Sequence, residues 1–526
     1  MSGYSDGGAS HVKKTLKTWV PRHYSSLEDI DRNLATLRNR AADLVMNSPV
    51  GAAAINTQAT NVVGVGLKVF PRINAKVLGM TPEQAREWSR TTKREFEFWA
   101  NSLGCDFLRR NNFYELQVIS LISYFCDGDS FCLFRRRPPK ESNPYSLRLQ
   151  ILDAQRVSNP IKSNVNGVGE VEMRFANSHN RIVNGIEVNR DGRLEAIWVC
   201  NKIWNEPTSL DAELKWQRVS MFGRDTGCRN ILHICFDKRP DQFRGVPLLA
   251  PVIETLKQIA RYANAELTSA IIKSYFSIFF VQLQQSNLDI NQIADSAEDD
   301  ADKACVDVNE YKLGPATMAA LPRGVDVKAI DSANVQSTFD AFTQSFLTQV
   351  GASLGLPSEV LLKKFQNNYS ASRAALLQAA DEFRCQRARF VTDFCQPIYE
   401  EFLTEAVALG RIKAPKFFDD PFIKAQWCQA EWHNEVSHFL DPVKETQAMI
   451  LRLNSGLSTY AAEVAEATGQ DFSEIVETLA QERKILSELP PPISTPEVNS
   501  TTETDSDSEE NSAPRRNKKT SAVSND

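Results

Sequence analysis

Apolar residues recur at positions 249, 252, 256, 259, 263, 267 and 271, in steps of three and four that trace one long helical seam. A second seam starts near Asn334 and carries Phe339, Phe342, Phe346, Val350 and Leu354 along one face. Gly355-Leu356-Pro357 is a stop signal that ends it. Between the seams the pattern changes twice, to a strand-like run from Tyr275 to Leu283 and then to an acidic, loop-like segment from Asn287 to Asp307. After the second seam comes a polar stretch, Lys363 to Ser372, without apolar periodicity. From Ser372 to Leu409 the spacing predicts a helix of about ten turns, kinked if Pro397 is internal.

The N-terminal half reads differently. Leu27 to Met46 has helical spacing through Leu27, Ile30, Leu34, Leu37 and Leu44. Thr81-Pro82-Glu83-Gln84 supplies an N-cap, a proline at the first helical position and a capping-box glutamine for a helix through Trp88, Phe96 and Trp99, stopping at Gly104. A third helix runs from near Asn112 to Asp127-Gly128, where a strand, Ser130 to Arg135, takes over. From Ser146 to Phe236 the signals are mainly β: SLRLQILDA, VEMRF, RIVNGIEVNR, LEAIWVC and ILHICF, divided by Asn, Gly and Asp turns. Towards the C-terminus, Asp441-Pro442 starts a short helix that Gly456 ends, Ser458 starts one that Gly469 ends, and Asp471 with Glu474 starts the last. The pattern predicts an α+β first half followed by long helices.

Composition narrows the picture. At 526 residues the chain has room for about two to four domains, and 42% hydrophobic with 24% charged residues is ordinary for a soluble globular protein. The net charge is -6. Residues from Pro490 onward hold seven acids and four bases and no core-forming pattern, so a disordered tail carries half of that charge. The body is close to neutral, which argues against a protein that grips nucleic acid tightly by neutralising phosphates. The first twenty or so residues are small, polar and basic, and are expected to be flexible. Ten cysteines form no CxxC pair and mostly sit in apolar company, as expected of buried free thiols in a reducing compartment. The N-terminus lacks the apolar core of a signal peptide. The run Ile271 to Leu283 is too short to span a bilayer, and no membrane role is expected.

Candidate chemistry is sparse. There is no GxxxxGK[ST] phosphate loop, no GxSxG elbow and no HExxH. Gly64-Val65-Gly66 follows a strand-like run but lacks the third glycine of a nucleotide loop. His433 and His438 lie five apart, on different faces if helical, and read as solvated or capping groups. Asp127-Gly128-Asp129 reads as a helix-to-strand turn needing positive φ at Gly128 rather than as a metal-binding turn. Asp419-Asp420 before Pro421 and the acidic run Ala294 to Asp302 read as solvated loops. No catalytic residue, metal or cofactor is expected.

The order of these parts resembles the portal proteins of tailed double-stranded-DNA bacteriophages, and several segments most resemble the lambda-type portal family. They are RNLATLRNRAADLVMNSPVGAAAINTQATNVVGVGLKV, CDGDSFCLFR, LDAQRVSNP, VGASLGLPSEVLLKKFQNNYSASRAALLQAADEFR and LNSGLSTYAAEVAEATGQDFSEIVETLAQER, collinear over roughly residues 30–490.

The resemblance implies an α+β portal fold: an α+β wing, a two-helix stem, a small α/β clip, a long wing helix and a helical C-terminal crown. In this numbering it divides the chain into a flexible arm (1–26), the first part of the wing (27–245), stem helix one (246–275), clip (276–330), stem helix two (331–356), tunnel-loop region (357–371), long wing helix (372–430), crown (431–489) and disordered tail (490–526). Phe339, Phe342, Phe346, Val350 and Leu354 become stem-packing residues. Lys363, Lys364, Gln366, Asn367, Asn368 and Tyr369 become the loop that faces DNA. The function implied is a non-enzymatic, dodecameric ring at the unique capsid vertex of the virion, assembled in the host cytoplasm. It conducts double-stranded DNA without sequence specificity during packaging and ejection. Its implied partners are the terminase large subunit, the major capsid and scaffold proteins, and a head-completion or connector protein. The alternatives are another ring-forming head–tail connector and a DNA-processing enzyme. The enzyme lacks the carboxylate cluster or phosphate loop it would need, and small adaptors lack the stem–clip–stem order.

Overall fold

The computed structural model describes residues 13–139, 143–160, 180–203, 214–275, 279–282, 325–328, 336–364, 369–434, 442–468 and 472–488. After a short helix α1 (Lys14–Lys17), the expected helix over 27–46 divides into a π-helical turn, Leu27–Asp31, and α2 (Leu34–Asn47). Ser48 then breaks the helix in an extended conformation and its side chain accepts from Gly51 N–H, which starts α3 (Pro49–Val62) with proline at the first turn. The return is tight: a Cβ on Gly51 would lie 2.6 Å from the Leu44 carbonyl oxygen. Gly64-Val65-Gly66 follows this helix, not a strand, and takes positive φ at both glycines (61° and 118°) as the chain turns into β1 (Lys68–Pro71).

Two helices carry reciprocal caps that hold their starts. α4 (Ala75–Leu78) is followed by α5 (Pro82–Ala100), where Thr81 Oγ accepts from Gln84 N–H and Gln84 Oε1 accepts from Thr81 N–H. In α6 (Phe113–Asp127), Asn112 and Glu115 make the same exchange. Gly128, at φ 88°, ends α6 and starts β2 (Asp129–Arg136). Strands β3 (Leu147–Leu152), β4 (Arg181–Val183), β5 (Ile186–Val188), β6 (Leu194–Cys200), β7 (Trp216–Ser220) and β8 (Ile231–Cys235) follow. They form two antiparallel sheets, β3-β2-β8 and the meander β4-β5-β6-β7. The expected strand VEMRF lies outside the described residues.

Strand β2 is buried on both faces, and alternation decides which core each residue joins. Phe131 and Leu133 pack with Leu152, Ile186, Val188 and Ile197 between the sheets. Cys132 and Phe134 join the main core, which is built around Phe96. The Phe96 ring meets Phe113, Tyr399 and Phe402 edge-on at centroid distances of 5.4, 5.6 and 5.2 Å, arrangements each worth about 0.5–1.5 kcal/mol beyond the area they bury.

The long elements come next. α7 (Ile253–Tyr275) leads to a small antiparallel pair, β9 (Phe279–Gln282) with β10 (Val325–Lys328). Then come α8 (Gln336–Ser353), the short α9 (Ser358–Leu362), α10 (Tyr369–Phe390), a π-helical stretch Val391–Cys395, and α11 (Gln396–Ala408). The long helix therefore begins at Tyr369, ahead of the expected Ser372. Pro397 is internal and buried. It can offer no N–H to the turn before it, and the helix widens to π winding immediately upstream.

After α12 (Pro421–Trp427), β11 (Ala430–His433) pairs antiparallel with β1, setting Lys68 opposite His433 and Pro71 opposite Ala430. His433 is thus a strand residue with Glu431 3.4 Å away, not part of a helix; His438 lies outside the described residues. The boundary expected at 430 runs through this strand. Helices α13 (Pro442–Asn454) and α14 (Tyr460–Thr468) complete the first compact unit. The second, from Phe472 onward, is described over α15 (Phe472–Glu488).

Candidate functional site

The two seams form a helix pair, α7 against α8. Tyr262 stacks on Phe339 at 5.4 Å and meets Phe342 at 4.8 Å, and Phe342 meets Phe346 at 4.5 Å. At the root of the pair, Leu249, Val252 and Leu256 from one seam and Val350 and Leu354 from the other are buried in the main core. Away from the root the same stripes run out of cover: Leu267 is 61% exposed, Ile271 46% and Phe342 41%. Of the residues expected to pack here, Val350 and Leu354 lie in the core, while Phe339, Phe342 and Phe346 make ring contacts beyond it.

The end of α8 is set by close backbone contacts. A Cβ on Gly351 would lie 2.4 Å from the Leu356 carbonyl oxygen, and Gly355 turns the chain at φ 68°. The buried Gln58 amide donates to the Leu354 carbonyl, tying α3 to this corner. The chain leaves α9 through Lys363 in the left-handed region at φ 53°, and the Lys363 and Lys364 N–H groups both donate to the Glu359 carbonyl. Both lysines are exposed. Gln366, Asn367 and Asn368 lie outside the described residues, and Tyr369 opens α10.

A second feature grows from the Asp127-Gly128-Asp129 turn, which the sequence marks as a turn but not as a buried anion. Asp129, the residue after the Gly128 turn, is fully buried and holds a charge cluster. Arg38 Nη2 donates to its Oδ1 at 2.6 Å, Arg244 Nε donates to its Oδ2 at 2.6 Å, and His233 Nε2 lies 3.3 Å from Oδ2. The same Arg244 donates to the carbonyls of Ala154, Val157 and Asn184, while Arg38 Nε donates to the Asp127 carbonyl. The Phe131 ring underlies both partners, with His233 stacked on it at 4.5 Å and the Arg244 guanidinium 5.2 Å from its centroid. Burial would raise the Asp129 carboxyl, but Arg244 and Arg38 outweigh it and hold the group far below the usual carboxylate range. Burial pulls the Arg38 guanidinium down to about 10, with Asp129 opposing. Burial also pushes the neighbouring Asp127 carboxyl up to about 7, with Arg38 opposing.

This cluster sits where the chain leads into α7. Gly245 N–H donates to Asp129 Oδ2 at 3.3 Å, and Leu248 N–H donates to the Phe125 carbonyl. One carboxylate thus joins α2, the α6–β2 turn, β8 and the segment leading into α7. The sequence holds one clue to it. Arg38 occupies the buried face of α2 with Leu34, Ala41 and Leu44, and an arginine in that register needs a buried acid.

Among the described residues no group of three or more His, Cys, Asp or Glu side chains could hold a metal ion, and no helix is long and apolar enough to cross a membrane. A family model described as phage portal protein, lambda family, matches residues 13–387. Portal protein B of Escherichia phage lambda is 23% identical over 492 residues, covering 90% of this chain and 88% of its own. The portal protein of Escherichia phage N15 is 24% identical over 494 residues, with the same coverage of 90% and 88%. Among solved structures, the chain is similar to one in the virion of a native gene transfer agent particle, at 12% identity, a TM-score of 0.40 and coverage of 85% of this chain and 94% of that one. It is also similar to an HK97 family phage portal protein from Corynebacterium diphtheriae, at 11% identity, a TM-score of 0.30 and coverage of 64% and 83%.

Proposed function

Because the chain belongs to the lambda family of phage portal proteins, we propose that it acts as one subunit of a dodecameric ring at the unique capsid vertex and catalyses no covalent chemistry of its own. The ring conducts double-stranded DNA inward during packaging and outward during ejection. It docks the terminase large subunit, whose ATP hydrolysis drives translocation, and later a head-completion or connector protein. Assembly takes place in the host cytoplasm with the major capsid and scaffold proteins.

The observation that carries this reading is the stem pair. Leu267, Ile271 and Phe342 project from two helices whose roots are buried, and a free subunit would leave this apolar surface in water. A neighbouring copy that covers it through a different face of its own makes a head-to-tail contact, and such contacts close into rings when the rotation permits. The near-neutral body supports low friction in the channel, since it has no basic excess to hold phosphates. Lys363 and Lys364 then act as weak, exchangeable contacts without base readout.

Electron microscopy of the purified full chain, with native mass spectrometry for the subunit count, tests the proposal. Closed rings of twelve or a neighbouring number, with a channel wide enough for duplex DNA, are expected. A chain that stays monomeric with scaffold and capsid protein present, and instead cuts DNA, overturns it.

A further inference from the structure

The connection between α5 and α6 folds back along β3, where Phe107 N–H donates to the Leu149 carbonyl at 2.8 Å. Asp106, 2% exposed, commits its carboxylate to the loop's own backbone: Oδ1 accepts from Leu108 N–H, and Oδ2 from the N–H groups of Arg110 and Asn111. Arg109 completes the tight path at φ 56°. The result is a loop braced from inside, with Arg109 and Arg110 exposed on its rim.

Two more arginines converge on it from β2 and the chain just beyond. The Arg137 guanidinium lies 4.1 Å from the Phe107 ring centroid and that of Arg135 lies 5.6 Å from it. Arg135 sits opposite Arg148 in the β2–β3 ladder. The Arg148 guanidinium is itself pulled down, mainly by burial, with Glu405 opposing and the positive charges of Arg109 and Arg137 adding to the shift. Like charges are therefore close enough to act on one another, which is unfavourable unless an anion relieves it. Among the described residues Arg109, Arg110 and Arg137 have no ion pair, and the one carboxylate in the loop is already taken by backbone. Arg136, one residue along the strand, is by contrast neutralised by Glu401 and Glu405.

We propose that Arg109 and Arg110 on this loop, with Arg137 over the Phe107 ring, form a binding surface for the phosphate backbone of duplex DNA, built from elements other than those that carry Lys363 and Lys364. Guanidinium groups on a braced loop match phosphate oxygens that repeat along a duplex. Arginine clusters can also take acidic segments, which gain register where a free strand edge or an apolar pocket lies beside the charges. The Leu149 carbonyl at the adjoining edge of β3 is already occupied by Phe107. The interaction is local and salt-sensitive, so it is compatible with a chain that is acidic as a whole.

The test is fluorescence anisotropy of a labelled duplex across a salt series with the full chain, the triple variant R109Q/R110Q/R137Q and, separately, K363Q/K364Q. The triple variant is expected to bind more weakly and to flatten the plot of log K against log salt by about 0.9 for each phosphate no longer neutralised, with unchanged thermal unfolding and subunit count. The weakening should persist in the lysine variant's background. If the triple variant does not fold, R109Q and R137Q alone should each flatten the slope by about 0.9. An unchanged affinity and slope overturns the proposal. So does a wild-type surface that takes polyglutamate as tightly as duplex and releases it in the triple variant, which makes the partner an acidic protein segment. Either failure with rings intact leaves the ring reading standing.

Discussion

Gly128 and Gly245 meet backbone to backbone: a Cβ built on Gly245 would lie 1.8 Å from the Gly128 carbonyl oxygen, and one on Gly128 would lie 2.4 Å from the Gly245 carbonyl carbon. The chain leading into α7 is thus seated on the turn between α6 and β2, with no room for a side chain on either side of the crossing. Asp129 then locks the crossing from one residue away. Gly245→Ala should destabilise the protein by about 3 kcal/mol or more, because the obstacle is backbone and cannot rotate aside. Denaturant unfolding of the full chain measures this; a loss under about 1 kcal/mol would mean the crossing yields easily.

Asp129→Asn keeps the shape of the side chain and removes its charge, leaving Arg38 and Arg244 buried against a neutral amide. The expected loss is about 3–5 kcal/mol at neutral pH. The folded carboxyl titrates far below its unfolded value, so its contribution is fully present above about pH 4 and fades as pH falls towards the folded value. Wild type and variant should therefore begin to converge as pH falls below about 4, as thermal unfolding between about pH 7 and pH 3 would show.

Asp127 carries the opposite sign. Its folded pKa lies near 7, above the ordinary aspartate value of 3.8. As pH rises through that window the unfolded chain releases the proton while the folded chain keeps it, so stability falls until about pH 7 and then levels off. Asp127→Asn should match wild type near pH 4 and exceed it at pH 8 by about 2–4 kcal/mol. A constant difference between the two across roughly pH 4–8 would show that the carboxyl titrates normally.

The exposed apolar residues of α7 separate folding from assembly. Leu267→Ser with Ile271→Ser removes apolar surface that the free subunit leaves in solvent, so subunit unfolding should move by no more than about 0.5 kcal/mol per site. Ring closure should fall sharply, read as the fraction of closed rings by native mass spectrometry. Rings that form undiminished would place the subunit interface elsewhere.

How much of this is legible in the sequence depends on distance along the chain. The Thr81–Gln84 cap and the Gly128 turn are local, and residue types three apart are enough to specify them. The two seams are legible because their period is helical, though the pattern alone does not say that Val350 ends in the core while Phe342 stays half-exposed. The Asp129 cluster joins residues 91 and 115 positions apart, and nothing local marks the aspartate after a turn glycine as a buried anion. Arg137 likewise looks like a solvated charge until the fold sets it over the Phe107 ring. The π winding before Pro397 shows how an internal proline can be absorbed by rewinding the helix, which helical periodicity does not predict.

The pairing of β1 with β11 carries a consequence for synthesis. Lys68–Pro71 must wait for Ala430–His433, so the sheet cannot close until most of the polypeptide has left the ribosome. Throughout that interval β1 is an open edge bearing Val69 and Phe70, the kind of segment that recruits other nascent chains. Its two ends are a lysine and a proline, residues that discourage edge pairing, so the strand carries its own protection for the period before its partner exists.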